Sequence, residues 1–269
     1  MLQHKQRAFI SFDGQCSFRC KHCYTYSMEL GPKRSIEEIL DDINEEEFDI
    51  IYVSQKNENF VNPNKGITLC EKAYERYHKD IIIITRNVFD DSDIYRLSKL
   101  YNQMKSENRN LIIAISFVSL TKADISERLD LIPSPNQRIE FLCKLHKFNI
   151  PNFALIRPLF PQAIIPIDDI YNLIDRCKDY VNCIVTSELG INSDIETRLG
   201  INFSSFCSYK NSEYLNGAIN QELRFLKLDN ELKLIAEKCK DCNIRLFTHS
   251  MQAVNFICQG GQSYGENGN

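Results

Sequence analysis

Residues 16–24 read CSFRCKHCY and place Cys16, Cys20 and Cys23 in the spacing C-x3-C-x2-C. Thiolates set this close together ligate soft metals, either zinc in a structural site or iron in an Fe–S cluster. A structural zinc site closes on four protein ligands, usually grouped in pairs. Here the fourth would have to be His22, wedged between two of the thiols, or a distant Cys or His. Three thiols offered to a [4Fe–4S] cube leave one iron with an open coordination position, at which a substrate or cofactor can bind. The bare spacing leaves two readings, a cluster site and a non-catalytic zinc-binding module.

The elements that must position these thiols begin with composition. The chain has 269 residues, 43% of them hydrophobic, with 16 Phe and 12 Tyr, enough to bury one large core or two small ones. Eleven Cys is an odd number and suits metal or catalysis in a reducing compartment better than a disulfide framework. No stretch approaches the ~20 apolar residues of a membrane span, and MLQHKQRAFISFD lacks the apolar run of a secretory signal, so the expectation is a cytoplasmic protein with no membrane contact. The net charge of −4 provides no global basic field to recruit a polyanion. That weakens nucleic-acid readings while leaving room for a local basic groove.

Apolar, β-branched runs predict strands over 8–12, 49–54, 81–85, 111–117, 153–157 and 182–186, with amphipathic helices between them. Ser35 with Glu38 forms a capping box, Ser92 can cap a helix running through Ser106, and Ser134-Pro135 opens a helix ending near Asn149. Runs such as IIIIT and LIIAIS are apolar at successive positions, as strands buried on both faces of a parallel sheet must be. The pattern is α/β, either an open doubly wound sheet or a barrel-like one, and both place function at the C-terminal strand ends. The Cys loop follows the first strand. After residue 188 the pattern changes: a polar stretch with aromatics over 189–220, a helix over 229–241, a strand-like 244–248 and a short final helix. We read 1–188 as the core, 189–258 as a C-terminal α/β extension capping it, and the Gly-rich 259–269 as a disordered tail.

With C-x3-C-x2-C in the loop after the first strand and six βα units following, the chain resembles the radical SAM superfamily. The resemblance implies a partial (β/α)6 TIM-type barrel in which Cys16, Cys20 and Cys23 hold a [4Fe–4S] cluster. It implies that the open iron chelates S-adenosyl-L-methionine, which an electron from the reduced cluster cleaves to a 5′-deoxyadenosyl radical that abstracts hydrogen from a substrate. The cofactor carries the hard chemistry and the protein positions it. His22 would lie against the adenine. A reducing partner such as flavodoxin or ferredoxin is implied as well.

Over residues 7–188 the chain is also similar to the spore photoproduct lyase-like branch, through NENFVNP at 57–63, IITR at 83–86, ISFVSL at 115–120, PSPNQRIEFLCKLHKFNIP at 133–151 and RPLFPQ at 157–162. This likeness implies that Arg86 clamps the S-adenosylmethionine carboxylate, as a guanidinium can do bidentately, and that Ser116 contacts its methionine moiety or ribose. Many radical SAM proteins carry Gly-Gly-Glu after the second strand. This chain has Ser54-Gln55-Lys56-Asn57-Glu58 instead, which makes Gln55 and Glu58 the candidates for that role. Lyases return hydrogen from a Cys near this strand end, where Ser54 and Gln55 stand here, and lyase chemistry is thereby placed in doubt.

Glu188 and Arg157, at the ends of the sixth and fifth strands, are candidate catalytic residues because strand ends surround the substrate in this fold. Cys207, Cys239, Cys242 and Cys258 admit an auxiliary cluster, although the favoured reading of a C-x2-C pair on a helix is two small hydrophobes packing inward. His249 is an acid–base candidate with an ordinary structural alternative. The reading is a radical SAM enzyme acting on a peptide or protein, with nucleic-acid repair or base modification as the alternative substrate class.

Overall fold

The computed structural model describes residues 7–12, 14–28, 31–32, 34–43, 48–54, 57–211 and 223–261. Six strands alternate with helices: β1 (Arg7–Ile10), α1 (Ile36–Asp41), β2 (Ile50–Val53), α2 (Pro63–Tyr77), β3 (Asp80–Thr85), α3 (Asp91–Ser106), β4 (Leu111–Phe117), α4 (Pro135–Lys147), β5 (Asn152–Leu159), α5 (Ile167–Cys177) and β6 (Ile184–Glu188). After β6 come β7 (Gly190–Ile191), α6 (Ser193–Leu199), β8 (Tyr209–Asn211), β9 (Arg224–Leu226), α7 (Asp229–Asp241), β10 (Leu246–Phe247) and α8 (Ser250–Cys258). The main sheet is parallel, in the order β1-β2-β3-β4-β5-β6-β10. Strands β1 and β10 lie at opposite ends of that order and do not pair with each other, so the sheet is a partial barrel.

All six predicted strands are present, and the seventh, β10, comes from the C-terminal region. There it pairs in parallel with β6 through Leu246 and Ile184. Residues β7, β8 and β9 form a separate antiparallel sheet. The first strand stops at Ile10 rather than Phe12, because the Phe12 amide donates to the Asn59 side chain at 2.9 Å instead of to a neighbouring strand. The capping boxes at Ser35 and Ser134 are both formed. Helix α3 is capped by Asp90, which accepts from the Asp93 amide, while Ser92 donates to the Asp90 carboxylate. A carboxylate at the N-cap adds a favourable term with the helix dipole that a hydroxyl lacks.

Strands β2 and β4 are buried at every position, as expected of strands covered on both faces. Their odd- and even-numbered residues belong to different cores. Ile51, Val53, Ile81, Ile83, Ile113, Ile115, Ala154 and Ile156 pack under the helices of the βα units. Tyr52, Ile82, Ile112, Ala114, Phe153, Leu155 and Val185 form a second core, which Ala253, Val254 and Ile257 of α8 cover. The last helix therefore fills the inner face of the barrel, and the Tyr52 hydroxyl donates to Met251 Sδ across it at 3.0 Å. No helix of the described residues is long and apolar enough to cross a membrane.

Candidate functional site

The three thiols line one cleft at the C-terminal ends of β1, β2 and β3. Its atom-free space, open to solvent, is about 600 Å³, and its walls include Phe18, Tyr26, Ser54, Glu58, Thr85 and Arg86. The Cys loop is fastened from several sides. Asn57 Nδ2 donates to the carbonyls of Phe12 and Gly14, at 2.9 and 3.0 Å. The Lys21 amide donates to the Ser126 carbonyl at 2.8 Å. Arg198 of α6 donates through both Nη atoms to the Cys23 carbonyl, each at 3.1 Å, and lies over the Tyr26 ring with Arg19.

Ser54 follows β2 with φ of 74°, the left-handed region that glycine normally fills. Ser54, first residue of the stretch Ser54 to Glu58, takes this conformation without being a glycine. Its hydroxyl offsets part of that strain by accepting from the Asn59 amide at 3.0 Å.

Burial pushes the Cys16 thiol up and the Cys20 thiol up to about 12. Buried thiols so placed ionise only with a cationic partner, which metal ligation provides. A cluster binds each thiolate through a different iron, and the three thiols here share the wall of one cleft. The neighbouring carboxylates are already committed. Glu58 accepts from the Arg86 amide, the Thr85 hydroxyl and the Phe60 amide at 2.8–3.0 Å, and Glu127 is held by two arginines. Three thiols on one cleft fit an Fe–S cluster.

Arg86 is not a lone cation at the end of β3. Its Nε donates to Glu127 at 3.0 Å and its Nη2 donates to His22 Nε2 at 3.3 Å. Burial, with the Arg86 charge beside it, lowers His22 to about 3 and keeps the ring neutral. Glu127 in turn pairs with Arg138 of α4, which also donates to the Ser116 carbonyl. Burial alone would raise the Glu127 carboxyl, yet Arg138 and Arg86 outweigh it and hold Glu127 below the usual carboxylate range. Sequence reasoning missed both Glu127 and Arg138. One signal was present: Arg138 falls on the apolar stripe of α4 with Phe141, Leu142 and Leu145, where a cation requires a buried partner.

The structure brings Cys16, Cys20, Cys23, Glu58 and Arg86 to one cleft, with His22 on the far side of Arg86. Ser116 lies buried on β4, joined to this group through Arg138. Gln55 lies outside the described residues. Arg157 stands at the end of β5, within electrostatic reach of Arg86, Tyr24 and Tyr52. Glu188 ends β6 and pairs with Lys210 of β8. His249 caps α8 by accepting from the Met251 amide. Cys239 is a core residue of α7, Cys242 donates to Asp175 and Cys207 to the Phe203 carbonyl, so each has a local packing role.

No family model matches this sequence, and no curated protein matches it either. The fold does have solved counterparts. Streptococcus suis SuiB, crystallised with S-adenosylmethionine, superposes on 91% of this chain and 50% of its own at 11% identity, with a TM-score of 0.59. The same protein has also been solved with the precursor peptide SuiA. The protein anSMEcpe with bound AdoMet covers 96% of this chain and 68% of its own at 12% identity, TM-score 0.53. TsrM from Kitasatospora setae, a radical S-adenosylmethionine methyltransferase holding cobalamin and a [4Fe-4S] cluster, covers 70% and 35% at 11% identity, TM-score 0.50. At these identities the likeness is one of fold, and the chain spans about half the length of SuiB.

Proposed function

We propose that this chain is a radical S-adenosylmethionine enzyme acting on a peptide or protein. The observation that carries the reading is the placement of Cys16, Cys20 and Cys23 on one cleft at the strand ends of a partial barrel, with the nearby carboxylates engaged elsewhere. These three residues would hold a [4Fe–4S] cluster, and S-adenosylmethionine would occupy the cleft beside it. Bound there, the pair supplies a 5′-deoxyadenosyl radical once an external donor such as flavodoxin or ferredoxin provides an electron.

The chain's own residues bind and shield. Glu58 ties the loop after β2 to the end of β3 through Thr85 and Arg86, which sets the shape of the cleft between them. Arg86 presents a cation fixed by Glu127, suited to an anionic group in the cleft. His22, held neutral behind Arg86, accepts from its Nη2 and helps fix that cation. Helix α8 closes the inner face below and keeps water from that side. The peptide reading is supported by SuiB and anSMEcpe, two proteins of this fold solved with the precursor peptide SuiA and the Kp18Cys peptide respectively.

The test is anaerobic reconstitution with iron and sulfide, followed by a 5′-deoxyadenosine assay with S-adenosylmethionine and dithionite. Wild type is expected to gain visible absorption, bind about four irons and release the nucleoside. Single Ala variants of the three cysteines are expected to lose all three properties. Full iron incorporation in those variants, or zinc without sulfide in the wild type, would sink the reading.

A further inference from the structure

Cys23, the third thiol of the cleft, is the N-cap of a short 3₁₀ turn over Tyr24–Ser27. At that position a polar side chain normally accepts from a backbone amide of the turn, and the Cys23 side chain makes no such bond. Its sulfur instead meets the side chain of Thr25, with Sγ and Oγ1 3.0 Å apart. Thr25 is 4% exposed and lines the same cleft as the three thiols.

The backbone on both sides of this contact is held independently of it. The Cys23 amide donates to the Cys20 carbonyl at 3.0 Å, and the Met28 amide donates to the Thr25 carbonyl at 3.1 Å. The Cys23 carbonyl accepts from Arg198 of α6 and from the Tyr26 amide. A β-branched side chain has a restricted χ1, so in a turn fixed this way the hydroxyl keeps its direction.

While Cys23 is a thiol, either atom of the pair can be the donor. A sulfur that ligates metal has no proton, and the bond then persists only with the Thr25 hydroxyl donating. Hydrogen bonds to ligand sulfurs are among the levers that set the potential of an Fe–S cluster. The sign follows from charge. Reduction adds one electron from the external donor and breaks no bond, and the hydroxyl keeps its proton. The added negative charge spreads onto the sulfurs, so a donor there stabilises the reduced form more than the oxidised one. Arg86 on the same wall is a full charge already tied to Glu127, whereas the Thr25 hydroxyl is a neutral dipole that one isosteric substitution removes.

We propose that Thr25 is a positioning residue for electron uptake: its hydroxyl donates to Cys23 Sγ and raises the reduction potential of the cluster held by the three cysteines. The inference rests on the cluster reading above and deepens it.

The full chain, as wild type, Thr25→Val and Thr25→Ser, is reconstituted anaerobically, assayed for iron and sulfide, and titrated with dithionite and mediators while electron paramagnetic resonance reads the reduced cluster. The Val variant keeps the branched shape and loses the donor, and the Ser variant keeps the donor. All three are expected to bind the same amount of iron. At the wild-type midpoint the ratio of reduced to oxidised cluster is expected to be about three- to tenfold lower in Thr25→Val, a downward shift of roughly 30–60 mV for one electron. Thr25→Ser is expected to stay within about twofold of wild type. A Val variant within about twofold of wild type overturns the proposal. So do Val and Ser variants shifted alike, which makes the effect one of packing, and loss of iron from either variant, which makes Thr25 a support of the loop. A wild type that takes up no cluster refutes the proposed function and this inference together, whereas a loaded wild type beside an unshifted Val variant refutes this inference alone.

Discussion

Replacing Glu127 with Gln keeps the shape of the side chain and removes the negative charge that Arg86 and Arg138 share. The side chains of Glu127 and Arg138 are fully buried, and that of Arg86 is 21% exposed. Breaking a buried ion pair by neutralising one partner costs about 3–5 kcal/mol, mostly the desolvation left uncompensated on the other. For a chain of this size, with a urea slope of about 3 kcal/mol/M, the midpoint should fall by roughly 1–1.7 M. Adding Arg138→Met removes the stranded cation, so the double variant should be less destabilised than the sum of the singles by more than about 1 kcal/mol. The pH dependence has a definite sign. Glu127 titrates below the ordinary glutamate value of 4.5, so its contribution is complete above that value and disappears as pH falls through its lowered native value. The gap between wild type and Glu127→Gln should accordingly close in acid. A midpoint within about 0.3 M of wild type at neutral pH, or additive single variants, would refute the buried pairing as an energetic link.

Two further changes test the loops after β4 and β1. Asp169 accepts from the Ser119 hydroxyl and the Leu120 and Thr121 amides at 2.6–2.9 Å, and these bonds outweigh burial to lower its carboxyl. Asp169→Asn should cost about 2–3 kcal/mol in urea unfolding at neutral pH, with the difference vanishing below pH 3.8 as the wild-type carboxylate protonates. Arg198→Ala removes both donors from the Cys23 carbonyl, so hydrogen exchange should quicken in residues 20–26 and stay unchanged in β3 and β4. Equal protection of the Cys loop in the variant would show that Arg198 does not hold it.

The sequence by itself determined the features that depend on near neighbours along the chain. C-x3-C-x2-C identified the thiols, doubly apolar runs identified the strands of a parallel sheet, and Ser35 and Ser134 marked helix starts, because each signal lies within a few residues and has one physical cause. Arg86 and Glu58 were legible as strand-end polar residues, but not as partners, since the Arg86 amide meets the Glu58 carboxylate only when β2 and β3 lie side by side. Tertiary structure alone decided the rest. Arg198 reaches Cys23 across 175 residues, Glu127 joins two arginines from different elements, and Glu188 pairs with Lys210 of β8. Helix α8 carries an apolar face that either side of the sheet would satisfy, and only the pairing of β10 with β6 delivers it to the inner one. Long-range pairing of charges depends on which strand ends converge and which side chains lose water there, and spacing along the chain carries neither quantity.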